Sequence, residues 1–239
     1  MQAAWYGASL AIVTFLGGLN VYMPFAGDQA FFLFVANALE QGQTLYSTLW
    51  DNKMPALFWF YLLAGKAFGF TERGIHTAEL LYLLVFSGVL MWALRRELAF
   101  PWLSAIAPLA VVGVYYASVM ARDMTMLEIL VGFPIFLSLW FATRCRPGET
   151  RAWLFALASG LLAGVVVTFK LVYAPVLVVA WVVVGLHYWA CWPEATRGRE
   201  TFLRLLKIGA LPVTAGVVLV VGAVVVVFWR QGGLAELLW

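Results

Sequence analysis

Residues 27–55 read GDQAFFLFVANALEQGQTLYSTLWDNKMP and stand between long apolar runs. A connector between two membrane helices is usually short and polar. This one holds Asp28, Glu40, Asp51 and Lys53 among aromatic residues, in a chain with only 11% charged residues. From Asp28 to Leu39 the apolar residues fall at helical spacing, with Asp28 in the cap position and Glu40 closing the stretch. About a dozen residues is too short to span a bilayer, so the stretch predicts a helix lying in the interface. Tyr46 and an Asp51-Asn52-Lys53 turn then lead into Pro55. This pattern predicts a first loop, about residues 25–76, that builds one wall of a site at the membrane surface.

Working outward, the chain of 239 residues is 64% hydrophobic, with a mean hydropathy of +0.92, which no ordinary soluble domain shows. The runs are continuous, so they predict an all-α polytopic membrane protein rather than a β-barrel of short alternating segments. The expected spans are Ala3–Met23, Thr77–Leu94, Pro101–Ser118, Met124–Phe141, Ala152–Phe169, Val172–His187 and Ile208–Trp229. Ala3 to Val21 lacks a basic leader region and reads as a retained first span. Met54–Phe70, interrupted by Lys66, is borderline in length.

Three loops carry the basic residues: Arg95-Arg96; Arg144, Arg146 and Arg151; and Arg197, Arg199, Arg204 and Lys207. Basic loops mark one side of a membrane. They share a side only if Met54–Phe70 does not cross, which gives about seven spans and a single transmembrane module over residues 1–239. The first loop, Met120–Leu127 and Lys170 then fall on the opposite, extracytoplasmic face. Pro193–Lys207 reads as a basic cytoplasmic loop that sets topology and meets lipid headgroups. A net charge of +3, thinly scattered, argues against a nucleic-acid partner.

The candidate site residues follow from this placement. Asp28 is either a helix cap, worth about 1 kcal/mol, or a carboxylate poised as general base or metal ligand, and it can serve as both. Arg122, Asp123 and Glu128 form a second polar group. An ionisable group within a span costs at least about 2.5 kcal/mol unless paired or hydrated, so Glu128 is a functional candidate; a pair with Arg122 or a first-loop lysine is the structural alternative. Lys170 breaks a run that is otherwise apolar from Ala152 to Trp189. It either snorkels to the interface or binds phosphate as a point charge. Lys53 and Arg122 lie on the same expected face, which suits an anionic lipid headgroup, and Tyr46 is a further candidate for substrate contact. His187 reads as interfacial packing, and His76 opens a span near the site. Cys145 and Cys191 have no metal-like spacing and read as free thiols. A divalent metal at the carboxylates stays open as a cofactor.

The order of these motifs resembles bacterial polytopic GT-C glycosyltransferases related to protein O-mannosyltransferases and aminoarabinose transferases. The resemblance rests on Gly27-Asp28-Gln29, GQTLYSTLWDNKMPALFWF, LEILVGFPIFLSLW and GLLAGVVVTFKLVYAP, and it runs from Asp28 to Pro175. It implies transfer of a sugar from a polyprenyl-phosphate donor to an acceptor on the extracytoplasmic face of a bacterial inner membrane. Asp28 would be the catalytic acid, and Glu128, ahead of Pro134, the second, with Asp123 as its rival; Lys53 and Lys170 match the family's lysines. Where the family has a second acid directly after the first, this chain has Gln29; Met54 stands where proline is more usual. Family members commonly carry further spans, so the expectation is an N-terminal half or a compact module working with another membrane subunit. A non-catalytic subunit within a larger complex is therefore the alternative function. A small transporter is a third reading, disfavoured because the charges cluster at one face rather than at the midplane.

Overall fold

The computed structural model describes residues 2–47, 51, 53–98, 100–146, 149–190 and 198–237. Its helices are α1 (Gln2–Asn20), α2 (Gln29–Glu40), α3 (Pro55–Phe68), α4 (Glu72–Leu94), α5 (Pro101–Pro108), α6 (Val114–Ser118), α7 (Leu127–Arg144), α8 (Ala152–Phe169), α9 (Ala174–Ala190), α10 (Arg199–Leu205), α11 (Leu211–Arg230) and α12 (Leu234–Leu237). No strand occurs among the described residues. The protein is an all-α, multi-pass membrane protein: six helices are long and apolar enough to span, at Ala3–Asn20, Glu72–Leu94, Leu127–Arg144, Ala152–Phe169, Leu171–Ala190 and Phe202–Arg230. The seventh expected span, Pro101–Ser118, is helical throughout, with Trp102–Ser118 among the shorter apolar helices, and a π turn at Leu109–Gly113 joins α5 to α6.

Two boundaries differ from the sequence expectation. Residues 199–205 are helical and run through a second π turn, Leu206–Ala210, into α11. Much of the expected basic loop is therefore the entry to a span; Pro193 and Arg197 lie outside the described residues, as does Cys191. The α4 helix also starts earlier than expected, at Glu72, because Thr71 caps it by accepting the Gly74 N–H at 3.1 Å. Pro55 opens α3, which ends before Gly69 in the left-handed region at φ +94°. At 14 residues α3 is helical as expected and short of a span's length. Lys66, which interrupts its sequence, pairs with Glu40 at 2.6 Å.

The chain divides into two compact units: residues 1–43 with 57–130, and residues 44–56 with 131–239. In the first, α1 packs on α4, α5 and α6. Its aromatic core joins α2 to α3, with Phe32 edge-on to Phe58 and Tyr61 at 5.8 and 5.5 Å. In the second, α8 and α11 make the principal helix pair. They approach closely because Gly160, Gly164 and Gly216 leave no side chain between the backbones: a Cβ at Gly160 would run into the Val213 carbonyl, and one at Gly216 into the backbone of Leu157–Leu161. Ser138 and Ser159 exchange hydroxyl-to-carbonyl bonds at 2.9 and 2.8 Å, tying α7 to α8.

Candidate functional site

In the first unit the polar residues converge on one turn, residues 119–126. The chain leaves α1 at Asn20, passes Pro24, and reaches Gly27 at φ +67°, where Arg122 packs 3.7 Å from the position a Cβ would take. Asp28 follows in the N-cap position of α2. Its side chain makes no capping bond. Gln29 instead ties this end of the helix to its surroundings: its Oε1 accepts the Ala26 N–H at 3.3 Å, and its Nε2 donates to the carbonyls of Ala121 (2.8 Å) and Met124. Gln29 is fully buried. It clamps the start of α2 to the turn bearing Arg122 and Asp123, while Asp28 stays exposed.

A second set of bonds grips the same turn from below. Thr125 is a β-branched residue at φ 50°, a conformation that persists only where its surroundings impose it. Its hydroxyl donates to Glu79 Oε2, its N–H to the Tyr115 hydroxyl at 3.4 Å, and its carbonyl accepts from Tyr61 Oη at 3.1 Å. Tyr115 in turn donates to Glu79 Oε1 at 3.0 Å. Glu79 is fully buried in the spanning helix α4, which carries a carboxyl only because hydroxyl donors surround it. Sequence reasoning passed over Glu79. The signal was present: an acid lies inside an expected span, the same argument that singled out Glu128.

Above this support, Tyr115, Asp123, Met126, Glu128 and Ile129 line a recess of about 420 Å³. Asp123 and Glu128 are both exposed there. Arg122 pairs with Asp123 at 3.6 Å rather than with Glu128, its expected structural partner. Asp28 is within electrostatic reach of Tyr61, whose hydroxyl is pushed up first by burial, then by Glu79 and least by Asp28. The turn therefore presents Arg122 and Asp123, with Glu128 beside them in the recess and Asp28 exposed at the start of α2. Among the described residues, no three His, Cys, Asp or Glu side chains converge as metal ligands. His76 is buried edge-on to Phe25, with ring centroids 5.3 Å apart, and does not line the recess.

The remaining candidates belong to the second unit. Tyr46 is the other non-glycine residue in the left-handed region, at φ 70°. Its ring stacks on Phe228 at 5.6 Å and its hydroxyl donates to the Lys53 carbonyl at 2.6 Å. Burial, then the Asp51 charge, raises its pKa, so the hydroxyl stays a donor. Asp51 accepts the Lys53 N–H at 3.1 Å and lies 3.8 Å from its ammonium. The expected turn is thus formed at its two described ends, with Asn52 outside the described residues. Lys170 is exposed, just past α8, with its N–H bonded to the Val166 carbonyl at 3.1 Å.

No family model, curated protein or solved structure matches this chain. Its functional reading rests on its own residues.

Proposed function

We propose that the chain is a GT-C-type membrane glycosyltransferase, taking a sugar from a polyprenyl-phosphate donor to an acceptor on the extracytoplasmic face of a bacterial inner membrane. One observation carries the reading. Asp28 stands next to Gln29, which is bonded to the very turn that carries Arg122 and Asp123, with Glu128 just beyond it on α7. Sugar transfer with inversion needs a base for the acceptor hydroxyl and positive charge for the departing lipid phosphate. Asp28 is the proposed base, with Glu128 or Asp123 as the second carboxylate. Arg122 is the proposed phosphate cation on this turn; Lys53, Lys170 and Tyr46, in the second unit, are candidates from the sequence alone.

Gln29 also supports the alternative, a non-catalytic subunit of a larger membrane complex. The position where the resemblance has a second acid is here a fully buried structural clamp. One assay separates the readings. Purified protein in nanodiscs is given polyprenyl-phosphate sugars and hydroxyl acceptors. Turnover by the wild type, reduced at least 100-fold by Asp28→Asn with an unchanged unfolding midpoint, supports the enzyme; removal of a general base costs about 10²–10⁴-fold. Asn caps a helix about as well as Asp, so the substitution suits the N-cap position of α2. Equal turnover by both proteins removes Asp28 as the base.

A further inference from the structure

The second unit contains a feature that sugar transfer does not use. Between α8, α9 and the α10–α11 helical run lies an apolar groove of about 710 Å³. It exists because α9 barely packs: only 6% of its spanning stretch is buried. Val178, Val182 and Leu186 line the groove while remaining more than half exposed. Across from them stand Ala156 on α8 and Ile208 and Val213 on the α11 side. Trp181, at the groove wall, is fixed by its indole N–H donating to Ser159 Oγ at 3.1 Å.

The groove lies at the end of the unit where the basic residues collect. Cys145 lines it, flanked by Arg144 and Arg146, and Lys207 stands between the lining residues Leu206 and Ile208. Arg199 and Arg204 lie on α10, against the two acids nearby in the chain, Glu149 and Glu200. Tyr188, another lining residue, donates its hydroxyl to the Thr143 carbonyl at 2.6 Å. Neither Arg146 nor Lys207 forms an ion pair among the described residues. An apolar slot opening between spanning helices, with Arg146 and Lys207 next in the chain to its touching lining residues Cys145 and Ile208, matches an anionic lipid in both of its parts: chain in the slot, phosphate at the cations.

We propose that this groove is a binding site for an anionic phospholipid, with an acyl chain between α9 and α11 and the phosphate against Arg146 and Lys207. It is independent of the glycosyltransferase reading.

The test uses the chain of 239 residues, delipidated in detergent, titrated with phosphatidylglycerol or phosphatidylcholine and read by native mass spectrometry. Phosphatidylglycerol should be retained about tenfold more strongly, since each cation near an anionic headgroup favours binding appreciably. The double variant Arg146→Gln/Lys207→Gln should bring the two lipids level. Gly185→Trp and Gly209→Leu fill the groove, where an added Cβ at either glycine meets open space. Each should abolish retention of both lipids while leaving the unfolding midpoint of the lipid-free protein unchanged. Equal retention of the two lipids by the wild type overturns the proposal, as does preferential displacement of phosphatidylglycerol by polyprenyl phosphate. Absence of any retained lipid, with no effect of either groove-filling variant, also overturns it.

Discussion

At the scale of single residues, the site is held by amide and hydroxyl groups, and the carboxylates are what they display. Gln29 illustrates why its side chain must be an amide: it accepts one backbone N–H and donates to two carbonyls at once. A glutamate at this position would restore the paired acids of the glycosyltransferase resemblance, yet it cannot donate. We therefore expect Gln29→Glu to destabilise the protein by roughly 2–5 kcal/mol, since each buried group left without its partner costs about 1–3 kcal/mol. Thermal unfolding in detergent checks this, and an unchanged midpoint would mean that the clamp contributes nothing. The same logic explains Thr125 and Tyr46. Both sit in the left-handed region, and both are fixed there by side-chain hydrogen bonds beside candidate site residues.

At the scale of elements, the second unit depends on how closely α8 and α11 approach. In a bilayer, helices gain little from hiding apolar surface from one another, so association relies on close packing of small residues. Gly160, Gly164 and Gly216 form that contact. Gly160→Leu places a side chain into the Val213 backbone, a contact no rotamer relieves. The expected result is loss of the α8–α11 pair: a cysteine cross-link between the two helices that forms readily in the wild type should fall at least tenfold in yield. Gly222→Leu on the same α11 helix meets open space and should leave the yield unchanged. Equal loss in both variants would point to a general effect of bulk rather than to this interface.

At the scale of the whole molecule, the open element is Pro101–Ser118. If it crosses the bilayer while α3 does not, then α4, Pro101–Ser118, α7, α8 and α9 separate Thr44 from Gly198, and an odd number of crossings puts the two on opposite sides. Single cysteines at Thr44 and Gly198, in a background lacking Cys145 and Cys191, should then react with an impermeant maleimide from opposite faces. Labelling of both from the same face would show that either α3 crosses or Pro101–Ser118 does not, and would undo the placement of the first loop with Lys170.

The fold class was legible in the sequence alone, because long apolar runs have no other stable arrangement in lipid than the helix. The short helix after the first span was equally legible, since the apolar residues from Asp28 to Leu39 fall at helical spacing. Asp123 and Glu128 were found from their charge next to a span, and they do share a recess. The tertiary structure decided what holds that recess in place. Glu79, Tyr61, Tyr115 and Thr125 are separated along the chain, and none has a local pattern that names its partners. Gln29 looked like a weakened acid pair and is a clamp. Periodicity reports which face of a helix is apolar; it carries no information on which distant hydroxyl or carbonyl a buried polar group will meet. That pairing is set only when α2, α3, α4 and the 119–126 turn pack together, and burial then makes each unsatisfied partner too costly to leave.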